Sequence, residues 1–189
     1  MKNNTFFMKP KNRKVATLAA TLITFGSLAG GANGALITFD GVSADTFPAA
    51  PYEESGFTIT ATTGFNAVLN GGVFSSNYFT YQGSTTTATI ALTSGGAFNL
   101  ESLDLGLGQS AVGVSVDITL MGNLFGGGSI STTFNNVSTV QNEVLVGWNN
   151  LASVTISGTD DPGIDNINAS AVPEPSSALL AGLGVLGLV

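Results

Sequence analysis

The middle of the chain alternates apolar and polar residues with a period of two. In Val114-Ser-Val-Asp-Ile-Thr-Leu120, the residues Val114, Val116, Ile118 and Leu120 point one way and Ser115, Asp117 and Thr119 the other. Successive side chains of a strand face opposite sides, so this spacing predicts a half-buried β-strand. A similar alternation sets Leu100, Ser102, Asp104 and Gly106 against Glu101, Leu103, Leu105 and Leu107. Runs rich in Thr, Val, Ile and Phe, punctuated by Gly, Asn and Ser, predict ten strands. They are Leu36–Asp40, Gly56–Thr62, Val73–Thr80, Thr87–Leu92, Phe98–Gly106, Gly113–Met121, Ser129–Phe134, Glu143–Trp148, Ala152–Ser157 and Ile164–Ala169. Gly71-Gly72, Gly95-Gly96 and Gly126-Gly127-Gly128 mark turns or loops between them. Between the two ends no window reads as a long amphipathic helix. Many short strands at close, regular spacing predict an all-β fold, an antiparallel β-sandwich with one packed and one wet face per sheet.

Charge separates the ends from this middle. All five basic residues, Lys2, Lys9, Lys11, Arg13 and Lys14, precede an apolar run from Val15 to Leu28 and a small-residue stretch ending at Gly34. That order is the architecture of a secretory signal peptide, and it predicts signal peptidase cleavage after Gly34. The run is shorter than the roughly 20 residues of a spanning helix. From Ala35 onward all twelve acidic residues remain, with no Lys, Arg or His. Such a chain has nothing with which to neutralise phosphates, which excludes nucleic acid as a partner and argues against anionic lipid surfaces. There is no cysteine, so an exported domain here holds its fold without disulfides.

At the far end, Val172-Pro-Glu-Pro-Ser-Ser177 precedes Ala178-Leu-Leu-Ala-Gly-Leu-Gly-Val-Leu-Gly-Leu-Val189. Pro173, Glu174 and Pro175, the small polar pair and the Leu/Gly/Ala segment resemble the PEP-CTERM family of bacterial sorting tails. Two prolines keep the tripeptide extended, in a form that a protease-like cleft can take. The resemblance implies that an exosortase, a membrane-embedded transpeptidase-like enzyme, cuts near the tripeptide while the apolar segment anchors the chain transiently. Twelve apolar residues with no basic cluster fall short of the family's helix, so either the chain is truncated or the tail is defective as a sorting signal. The expected organisation is therefore a signal peptide over 1–34, a β-sandwich over 35–171 and a sorting tail ending in an apolar helix over 172–189.

The middle domain has looser resemblances. An opening Ile37-Thr-Phe-Asp-Gly41, then Tyr52-Glu-Glu-Ser-Gly-Phe57, Gly147-Trp-Asn-Asn-Leu-Ala-Ser-Val-Thr-Ile156 and a closing Ile164-Asp-Asn-Ile167 resemble the jelly-roll-like domains attached to such tails. Carbohydrate-binding modules share that plan, and a shared plan implies fold rather than function.

Candidate chemistry is sparse. Without His or Cys there is no Ser-His-Asp or Cys-His system, and without Lys after Lys14 the exported part has no Ser-Lys dyad or Schiff base. Glu53, Glu54, Glu101 and Glu143 are the carboxylates open to paired acid–base work, but no local motif singles out two of them. The sequence therefore predicts no catalytic residues and no enzyme. The loop Gly158-Thr-Asp-Asp-Pro-Gly-Ile-Asp-Asn166 is the richest internal feature. If first and last strands pair, Asp160, Asp161 and Asp165 would meet Asp40 and offer the oxygen ligands of a structural calcium site. The alternative is an ordinary Asp-Pro-Gly turn. Trp148, the single tryptophan, suits either the core or stacking on a sugar ring. Two functions follow: a structural or interaction protein of the cell surface or exopolysaccharide layer, or a module that binds extracellular polysaccharide. Several exposed aromatics on one face would favour the second.

Overall fold

A computed structural model describes residues 34–43, 51–62, 66–71, 73–81, 86–108, 113–139 and 141–173. The predicted signal peptide, and the sorting tail from Glu174 onward, lie outside the described residues. What is described is all-β and antiparallel throughout. Eleven strands run β1 (Gly34–Ile37), β2 (Tyr52–Glu54), β3 (Phe57–Ala61), β4 (Asn66–Asn70), β5 (Asn77–Tyr81), β6 (Thr87–Leu92), β7 (Phe98–Leu107), β8 (Val116–Leu124), β9 (Ser129–Val137), β10 (Gln141–Gly158) and β11 (Pro162–Ala171). Thr87–Leu92 is the predicted strand without change. β2 and β4 were not predicted, and Val73–Ser76 belongs to the loop before β5 rather than to a strand.

Two local devices explain the main departures. The residues of the predicted Glu143–Trp148 and Ala152–Ser157 strands lie in one 18-residue strand, β10. Asn149-Asn150 reads as a turn, yet the chain continues: Gly147 (φ 62°) and Asn150 (φ 58°) take left-handed conformations, and register shifts let the strand bend without ending. In β7, Leu100 and Leu103 are both buried while Glu101 is exposed. A register shift there breaks the strict alternation read from the sequence. The Tyr52–Phe57 stretch is a hairpin, with Ser55 (φ 53°) and Gly56 (φ 83°) supplying the two positive φ values of a type I′ turn.

β10 organises the rest. Its first part, Gln141–Leu151, pairs with β7, and β7 continues through β11 to β5 and β4. Its second part lies between β6 and β8, which continue to β3 and β2 on one side and to β9 on the other. The strand thus passes from one set of neighbours to another, as strands do where a sheet folds over its own core. Ile59, Ile90, Leu120 and Ile156 from one set join Ile37, Phe79, Leu105 and Ile167 from the other in one buried cluster. The Tyr81 hydroxyl donates to the Ile156 carbonyl at 2.7 Å across this core. Burial raises the Tyr81 pKa well above the ordinary phenol value, so it stays a neutral donor. Gly122 marks a close crossing: a Cβ there would lie 2.7 Å from Leu151 Cδ2 and 2.9 Å from Trp148 Cε3.

The first and last strands pair. β1 lies antiparallel to β11, with Gly34 opposite Ser170 and Ile37 opposite Ile167.

Candidate functional site

The described residues form a small polar recess on β7 and β11, of about 150 Å³, lined by Val73, Phe74, Ser75, Ser76, Asp104, Asp165 and Asn166. Register builds it. Asp104 and Asp165 stand directly opposite each other, and the next residues, Leu105 and Ile164, are buried in the core. The loop before β5 closes over the pair. Phe74 stacks on Tyr78 at 4.4 Å, and both rings lie against Gly163, where a Cβ would meet Phe74 Cε2 at 2.5 Å. Only glycine lets the loop come this close.

Asp165 is 1 % exposed and Asp104 8 %. Ser76 Oγ donates to Asp165 Oδ2 at 2.5 Å, and the Asn166 N–H donates to Oδ1 at 2.7 Å. Asn166, in a left-handed conformation (φ 46°), turns its Nδ2 onto Asp104 Oδ2 at 2.8 Å. The Asp165 pKa is raised to about 6, chiefly by burial, against which the Ser76 and Asn166 hydrogen bonds pull, while the charges of Asp104 and Asp40 add smaller upward pushes.

Of the four carboxylates expected to hold calcium, Asp40 contributes a charge that raises the Asp165 pKa, as the smallest of its causes. The full set is not assembled. Among the described residues no three carboxylates come together as a metal-holding group. Asp160 and Asp161 occupy the turn between β10 and β11. Asp160 Oδ1 accepts from the Asp161 N–H at 3.0 Å, and the Asp161 carbonyl accepts from Gly108 N–H at 2.6 Å. The neighbour that sequence reasoning missed is Asp104. Its signal was a lone carboxylate inside Leu103-Asp-Leu-Gly-Leu107.

Trp148 is 8 % exposed and packs in the main core, so its ring offers no open face for a sugar. Tyr52, Tyr78 and Tyr81 are buried as well. Among the described residues the large aromatic that stands in solvent is Phe125, 53 % exposed, in the β8–β9 turn. Of the carboxylates considered for acid–base work, Glu54 has a structural duty. It accepts from the Thr38 and Phe39 N–H groups at 3.2 and 3.0 Å and from the Tyr52 hydroxyl at 2.7 Å. These bonds hold Phe39 at φ 58°, an unusual conformation for a bulky side chain. Glu53 and Glu101 are exposed, and Glu143 lies in β10.

No protein-family model matches the chain, and no curated protein matches it. Among solved structures it is similar to the carbohydrate-binding module TmCBM61 in complex with beta-1,4-galactotriose, at 13 % identity and a TM-score of 0.39, over 62 % of this chain and 90 % of that one. It is also similar to the enzymatically active domain of tailspike protein 4 of bacteriophage CBA120, at 12 % identity and a TM-score of 0.35, over 62 % of this chain and 20 % of that one. Likeness this loose carries no argument about ligand or activity.

Proposed function

We propose that this is an exported protein, sorted to the cell surface or extracellular matrix through a PEP-CTERM-like tail. In this reading residues 35–171 serve a structural or interaction role in the exopolysaccharide layer and have no enzymatic role. The observation that carries the reading is the segregation of charge. Every basic residue lies in the first 14 positions ahead of an apolar run, and the acidic remainder ends in Pro173-Glu174-Pro175 and a second apolar run. The fold suits such a protein, because Gly34 stands opposite Ser170 and the two flanking segments leave from one corner of the domain. Signal peptidase and an exosortase are the partners this reading requires, with transient anchoring by the tail. Within it, the fold is a jelly-roll-like sandwich whose two layers share β10.

Binding of extracellular polysaccharide is the second reading. Asp165 and Asn166 of the closing stretch line the polar recess, and carboxylate and amide groups suit sugar hydroxyls. The burial of Trp148 and of all three tyrosines favours the structural reading over this one.

The test is sorting in a host that bears an exosortase, using the chain with its apolar tail extended to a full span and a basic end. Surface delivery and tail processing are expected, and the triple change Pro173→Ala, Glu174→Ala, Pro175→Ala should abolish processing. Identical processing in a host lacking the exosortase would overturn the sorting reading. Retention of the exported protein on polysaccharide prepared from its host would promote the second reading over the first.

A further inference from the structure

We propose that β9 is a self-association edge, which pairs antiparallel with β9 of a second copy about a two-fold axis through Thr133. Among the described residues β9 pairs only with β8, so its outer row of backbone N–H and C=O groups is free of sheet partners. A long open edge of this kind is a template for another strand, and proteins normally blunt it with charge, proline or brevity. The other terminal strands are blunted. β2 has three residues, two of them glutamates, β4 has five and β1 four. β9 has nine, Ser-Ile-Ser-Thr-Thr-Phe-Asn-Asn-Val, with no charge and no proline. Six of the first eight are exposed.

Charge selects a second copy as the occupant. From Ala35 on, the chain holds twelve acidic and no basic side chains, so two copies repel over most of their surfaces. From Ile118 to Asn142 there is no charged residue at all, and β9 lies inside that window. A strand with no charge of its own lets like chains approach with little repulsion, the Asp117 carboxylate sitting at its C-terminal end, where it accepts from the Asn136 N–H at 2.8 Å; backbone pairing asks for no cation, which the exported chain lacks. The symmetry also preserves the faces of the sheet. Ile130, Thr132 and Phe134 lie opposite Gly122, Leu120 and Ile118 on the core side, while Ser131 and Thr133 lie opposite Met121 and Thr119 on the outer side. A two-fold at Thr133 sets Thr132 opposite Phe134 of the second copy and Ser131 opposite Asn135, so core side meets core side. The two Phe134 rings, each half-buried at the rim of its own core, become diagonal neighbours within aromatic reach. The contact is isologous, and it closes as a dimer.

Thr133 is exposed, and its hydroxyl shares a hydrogen bond with the Thr119 hydroxyl at 2.9 Å. A charge placed there faces its own copy across the axis. The full chain, held in mild detergent, is expected to sediment as a dimer at tens of micromolar. Thr133→Lys alone and Thr133→Asp alone should each sediment as monomers with melting temperatures close to the parent's. Mixed in equal amounts, they should recover the dimer, because Lys then faces Asp. A parent chain that stays monomeric overturns the proposal. So does a dimer that survives both single variants, which would place the contact on another face, and so does a mixture that stays monomeric. If the parent is monomeric and associates only with a different extended peptide, the edge belongs to another partner.

Discussion

Replacing Asp165 by Asn removes one buried charge and leaves its shape. Asn Oδ1 can still accept from the Asn166 N–H, and Nδ2 can donate to Ser76 Oγ, whose hydroxyl is free to turn. The carboxylate of the parent protein has its pKa raised from 3.8 to about 6, chiefly by burial. A pKa raised by folding means that the folded state keeps a proton that the unfolded chain releases. The resulting stabilisation is fully present below pH 3.8 and is lost as the pH rises through about 6. A shift of some two units corresponds to about 3 kcal/mol, a large share of the stability of a single domain. The Asn variant never ionises here, so it should match the parent within about 1 kcal/mol at pH 4 and exceed it by up to about 3 kcal/mol at pH 8. For a domain of this size that difference amounts to roughly 10 °C in melting temperature. The assay is thermal or urea unfolding of both proteins at half-unit steps from pH 4 to 8, read as the difference between them. The difference matters because the other carboxylates also repel one another more as pH rises, in parent and variant alike. Parallel curves, or a variant that loses stability at pH 8, would refute the account of Asp165 as a charge held in place against its solvation.

Two further perturbations test the packing that positions the recess and the core. Gly122→Ala should cost about 1–3 kcal/mol and change the fluorescence of Trp148, because a methyl there meets Leu151 and the indole at under 3 Å; an unperturbed spectrum with unchanged stability would contradict the close crossing of β8 and β10. Glu54→Ala should destabilise by about 1–3 kcal/mol through the loss of its bonds to the Thr38 and Phe39 N–H groups, with faster amide exchange at those two residues; equal protection in variant and parent would show that the Phe39 turn is held by something else.

The alternation of Val116, Ile118 and Leu120 with Asp117 and Thr119 was enough to predict a strand and its buried face, because the period of two is a local property of extended backbone. The turns at Gly95-Gly96 and Gly126-Gly127-Gly128 were legible from local composition as well. Local pattern failed where a strand bends without ending. Asn149-Asn150 carries turn chemistry, but the neighbours on both halves of β10 hold that segment extended, and left-handed residues absorb the bend. It failed also at Leu100–Leu103, where a register shift turns two apolar residues of opposite parity into the same core. The recess was beyond its reach altogether. Asp104, Asp165 and Ser76 come from three segments far apart in the chain, and nothing near any of them specifies the others. What joins them is the register of β7 against β11 and the close approach of a loop over Gly163. Sequence alone determined many of the extended segments, the apolar face of a strand such as β8, and where the charge lies. Only the tertiary structure decided which carboxylates meet and which strand was left with an open edge, because strand pairing is a choice among distant partners that no local period encodes.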